Sequence, residues 1–130
     1  MSITVTLNVG NNPPVTCTPS THHKEADSSG EVKWERAKGS DFTFCALEIA
    51  GACFTNLQIK EHSITINDDN KGNANIGDYP YTLVVRSADG LNFYSTALNV
   101  PDKINGKSTS AGRALMPQPL GNGDPTIKNN

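Results

Sequence analysis

Residues 75–97, NIGDYPYTLVVRSADGLNFYSTA, constrain this chain more than any other stretch. Tyr81, Leu83 and Val85 fall on one side of a period-2 alternation, and Thr82, Val84 and Arg86 on the other. Ser87-Ala88-Asp89-Gly90 then supplies turn chemistry, after which Leu91, Phe93 and Ser95 alternate with Asn92, Tyr94 and Thr96. Two such runs around an Asp-Gly turn predict a β-hairpin. The fold is therefore well marked, whereas the sequence names no activity.

The rest of the chain repeats this grammar. Ile3, Val5, Leu7 and Val9 share a face of a strand over residues 2–9, which Gly10-Asn11-Asn12-Pro13-Pro14 ends. Val15–Thr18 reads as a short strand closed by Pro19, and residues 20–30, STHHKEADSSG, as an exposed polar loop. Val32 and Trp34 anchor a strand over 31–35, and Phe42 and Phe44 share a face of the next. Residues 46–54 fit either a helical turn or a bulged strand, with Leu47 and Ile49 favouring strand. Leu57 with Ile59, and Ile64 with Ile66, alternate again before a turn-rich loop at 67–77. Residues 101–123 carry Pro, Gly and few bulky apolar groups except Ala114-Leu115-Met116, so a long loop or partly disordered segment is expected. Asp124–Lys128 reads as a final short edge strand with proline near its start.

At 130 residues the chain holds one domain. Seven to nine short strands make it an all-β antiparallel sandwich, immunoglobulin-like or cupredoxin-like. Net charge is −2, with four basic against two acidic residues from Pro101 onward. That balance gives no electrostatic footprint for nucleic acid or an anionic membrane surface. No apolar run approaches the roughly 18 residues of a membrane helix. The alternating N-terminus has no signal-peptide character, and three cysteines suit a reduced compartment, so a cytoplasmic location is expected. Cys45 and Cys53 are read as buried free thiols that could pair under oxidation.

Asn75-x-Gly77-x-Tyr79-x-Tyr81 resembles the tyrosine corner of immunoglobulin-like domains, whose Tyr hydroxyl ties back to nearby backbone. The resemblance makes Tyr79 the corner residue and Trp34 the core tryptophan. It puts Tyr81 where antibody domains carry their second cysteine, with Cys17 on the strand before Trp34, so the inter-sheet disulfide is missing. Val32-x-Trp34, Phe42-x-Phe44, Tyr79-x-Tyr81-Thr82 and Asp124-Pro125-Thr126-Ile127-Lys128-Asn129 together resemble the DP-EP family of small bacterial β-sandwich proteins. That resemblance implies a fold and no activity.

Candidate sites are few. His22, His23 and Glu25 gather metal-capable side chains, but a polar Ser-rich loop is a poor cage for the three or four converging ligands zinc requires. Blue copper is excluded, because no Cys or His follows residue 62 to arm a late hairpin. Asn67, Asp69, Asn75 and Asp78, with Gly72 at the turn, partly match calcium-loop spacing, while Lys71 occupies a ligand position. Cys45 or Cys53 with His62 and Asp41 is the one imaginable nucleophile set, and apolar neighbours argue for inert thiols. No cofactor and no catalytic motif is indicated. The expectation is a non-enzymatic binding or assembly module that meets a protein partner, or another copy of itself, through edge strands such as the first strand or Asp124–Lys128. The alternative is a metal-binding or thiol-redox protein using the His22/His23/Glu25 loop or the cysteines.

Overall fold

A computed structural model describes residues 2–11, 13–97 and 125–130, together with the backbone of 103–104 and 107–108. Strands β1 (Ser2–Leu7), β2 (Val15–Thr18), β4 (Ser28–Arg36), β6 (Phe54–Ile59) and β7 (Ser63–Asn70) form one sheet in the order β2-β1-β4-β7-β6. Strands β3 (Thr21–Lys24), β5 (Phe42–Ile49), β8 (Gly77–Ser87) and β12 (Thr126–Asn129) form the other, ordered β3-β12-β8-β5, with β9 (Phe93–Ser95) also paired to β8. Two-residue strands β10 (Lys103–Ile104) and β11 (Lys107–Ser108) pair with each other. The rest of the expected Pro/Gly-rich segment at 101–123, including Ala114-Leu115-Met116, lies outside the described residues. No helix occurs among the described residues, and the architecture is a two-sheet β-sandwich.

Alternation explains the core. Ile3, Val5, Val15, Val32, Trp34, Ile64 and Ile66 project from one sheet, and Phe42, Phe44, Leu47, Tyr81, Leu83, Val85 and Ile127 from the other. Trp34 meets the Tyr81 ring edge-on at 5.3 Å between centroids, a geometry favoured by the ring quadrupoles. The run at 46–49 resolves as a bulged strand. Pairing to β8 slips between Phe44 and Ala46, so Cys45 is the extra residue and the inward phase passes from Phe44 to Leu47. The hairpin forms as expected. Arg86 pairs with Phe93, the Ser87 carbonyl accepts from Gly90 N at 2.8 Å, and Gly90 takes φ 76°.

Four expectations change. Thr21–Lys24 is a strand rather than loop, because its backbone finds a parallel partner in β12 and its His22 side chain fills the interior. Residues 67–70 continue β7 instead of opening a loop, held by pairing of Ser28–Glu31 with Asn67–Asn70. The terminal strand is internal, flanked by β3 and β8, and β1 is internal between β2 and β4. Neither presents the free edge expected of it.

Candidate functional site

At one end of the sandwich the inward faces turn from apolar to polar. Along β7 the sequence Ile64, Ile66, Asp68, Asn70 keeps one face, and along β12 Ile127 is followed by Asn129. Asp68, Asn70 and Asn129 are consequently almost fully buried. Asn129 Nδ2 donates to Asp68 Oδ1 at 2.9 Å and to the Asn75 carbonyl at 3.1 Å, and approaches Cys53 Sγ at 3.8 Å. Asn70 Nδ2 donates to the carbonyls of Glu25 and Asn130 at 2.7 and 3.1 Å. Among the described residues, three buried oxygens, Asp68 Oδ2, Asn70 Oδ1 and Asn129 Oδ1, have no hydrogen-bond partner. Buried polar atoms of this kind are uncommon in folded proteins and call for a physical account.

The residues expected to bind metal separate. Strand alternation turns His22 inward and His23 outward, and Glu25 lies beyond the strand end, exposed. Among the described residues no three His, Cys, Asp or Glu side chains are grouped to hold a metal ion. Of the calcium-spaced residues, Asn67 and Asp69 share the outward face of β7, and the Asn75 amide donates to the Asp69 carbonyl at 2.7 Å. All three cysteines are free. Burial pushes the Cys17 thiol up to about 11, a shift that contact with Tyr81 partly offsets. Burial likewise raises Cys45, against the pull of Arg86, and Cys53. A raised thiol supplies less thiolate, which opposes nucleophilic or redox work.

Burial lowers the pKa of His22 below its ordinary 6.5, and Lys24 and the His23 side chain add to this, while Asp68 opposes it. The fold therefore prefers neutral His22, and the unfolded chain binds more protons near and below pH 6.5. Stability conferred by this group is complete above that value and falls on acidification through the window between the two pKa values. Urea midpoints of wild type should drop more steeply than those of His22→Gln between neutral and mildly acidic pH. Parallel profiles for the two proteins would contradict this.

A second feature lies where β5 ends beside β8. Gly77–Pro80 of β8 pair with β12, whereas β5 ends at Ile49 opposite Tyr81. Beyond that rung the β5 side of β8 has no strand partner among the described residues. A groove of about 290 Å³ occupies the notch, lined by Ile49, Tyr79, Pro80, Thr82 and the carboxylates Glu48 and Asp78. Its floor is held firmly. The Tyr79 hydroxyl donates to the Asn75 carbonyl at 3.0 Å, the contact expected of a tyrosine corner, and Phe54 packs edge-on to the Tyr79 ring at 5.1 Å. A Cβ at Gly51 would lie 2.9 Å from Tyr79 Cε1 and 3.0 Å from the Phe54 ring. Gly51→Ala should therefore cost about 1–3 kcal/mol, as overpacking typically does; an unchanged urea midpoint would contradict this packing.

Sequence reasoning missed Asp68, Asn70 and Asn129. The available signal was the unbroken alternation from Ile64 through Asn70, which a polar, turn-prone composition masked. Comparison with protein-family models, with curated proteins and with solved structures gives no match.

Proposed function

We propose that this chain is a non-enzymatic, immunoglobulin-like binding module that receives an extended protein segment in the notch between β5 and β8. The carrying observation is the unpaired stretch of β8 beside a groove with an apolar floor. Pro80 has no N–H, so main-chain pairing here runs through the Asp78 N–H and the Asp78 and Pro80 carbonyls, and the groove's side-chain lining supplies the rest. The margins at β2, β6 and the far side of β5 suit this less. β2 is bracketed by Pro13-Pro14 and Pro19, β6 is bulged around Asn56 at φ 57°, and the Phe44 N–H of β5 already donates to the Glu61 carbonyl. Glu48 and Asp78 line the groove and no Lys or Arg does, so the favoured segment carries Lys or Arg beside apolar residues. Lys128 stands across the ladder from Asp78, on the side away from β5. The tyrosine corner and the Trp34–Tyr81 contact support the immunoglobulin-like type over the cupredoxin-like one.

The test is selection from a displayed library of extended peptides on the immobilised full chain, repeated on Glu48→Lys/Asp78→Lys. Wild type should enrich basic-apolar segments that the variant rejects. Equal enrichment on both proteins, or none, would overturn the reading.

A further inference from the structure

Beside the buried polar cluster stands a half-buried lysine, Lys24. β3 and β12 run parallel, with Ile127 beside His22 and Asn129 beside Lys24. Ladder neighbours share a face, and Ile127, His22 and Asn129 are all buried, so Lys24 leaves the backbone on the interior side next to Asn129. The two backbones are held at this point, since Asn130 N donates to the Lys24 carbonyl at 3.1 Å.

Both side chains then cross the sandwich to one rung of the opposite sheet. That rung is the pair Gly30–Asp68 between β4 and β7. Lys24 Nζ lies 3.3 Å from where a Cβ on Gly30 would stand, so the missing side chain makes room for the amine. Asn129 Nδ2 contacts Asp68 Oδ1 at 2.9 Å. A half-buried amine is thus brought to the same rung as a buried carboxamide and a buried carboxylate. The carboxylate's second oxygen and the carboxamide oxygen are both without partners.

We propose that the chain cross-links itself through an isopeptide bond from Lys24 Nζ to Asn129 Cγ, with Asp68 as the proton carrier. Asp68 takes a proton from the Lys24 ammonium, and the neutral amine attacks Asn129 Cγ. The Nζ–Cγ bond forms, the Cγ–Nδ2 bond breaks, and Asp68 returns the proton to the departing nitrogen, which leaves as ammonia. One amine and one primary amide become one secondary amide and one ammonia, so no oxidant or other co-reactant is consumed. Holding amine and amide on adjacent, paired strands replaces a bimolecular encounter with a positioned one, which is worth several powers of ten in rate. Asp68 already contacts the leaving nitrogen, where a general acid has to be. The product would tie β3 to β12, and so join strands far apart in sequence.

Intact mass spectrometry of the purified, denatured full chain decides the matter. The expected mass is short by one ammonia, and proteolysis should release a branched peptide joining the Lys24 and Asn129 segments. Lys24→Arg and Asp68→Asn should both run at full mass. Wild type at full mass overturns the proposal, as does an ammonia loss without the branched peptide, which would signal a succinimide at an asparagine. A branched peptide persisting in Asp68→Asn would overturn the role given to Asp68.

Discussion

Trp34→Ala is expected to lower unfolding free energy by about 3–5 kcal/mol, the range for removing a large buried aromatic. Trp34 is fully buried between the sheets and meets Tyr81 edge-on. A domain of this size holds roughly 5–15 kcal/mol in all, so the variant should sit close to unfolding. Trp34→Phe should lose less than half as much. Phenylalanine keeps most of the buried bulk and the ring contact with Tyr81, so a smaller loss of volume dominates. Trp34 is the single tryptophan, so urea titration should be followed by circular dichroism rather than intrinsic fluorescence. Equal losses for the two variants would contradict this packing of Trp34 in the core.

In a Lys24→Arg background, which cannot cross-link, Asn129→Ala is expected to cost about 2–4 kcal/mol, because it strips the donor from a fully buried carboxylate. It also leaves the Asn75 carbonyl with one donor fewer at the end of the tyrosine corner. Asp68→Ala removes the other side of the same contact. A double-mutant cycle should therefore show the pair costing less than the sum of the singles, with a coupling of about 0.5–3 kcal/mol. Additive losses would mean that Asp68 and Asn129 act independently, contrary to the 2.9 Å contact.

How much of this was legible follows from where the information lies. The hairpin from Tyr81 to Thr96 was readable because its alternation and its Asp89-Gly90 turn are local. Trp34, Val32, Phe42 and Phe44 could be placed in the core on the same ground. β3 was not readable. Thr21-His22-His23-Lys24 has a loop's composition, and becomes a strand through parallel pairing with residues a hundred positions later. Local period cannot encode that pairing, nor the parallel β1–β4 contact that buries the first strand within its sheet. The inward Asp68, Asn70 and Asn129 were hidden differently. They continue an alternation whose apolar members had stopped, so their chemistry argued for solvent while their phase pointed to the interior.

Recognition of an extended segment at the β5–β8 notch is the central proposal. It is tested most directly by amide chemical-shift mapping of the labelled full chain against an extended peptide carrying alternating apolar and basic residues. The prediction is saturable shifts confined to Glu48–Ala50 and Asp78–Thr82, abolished by Glu48→Lys/Asp78→Lys. Shifts that centre on β2 or β6, or none at peptide saturation, would contradict it.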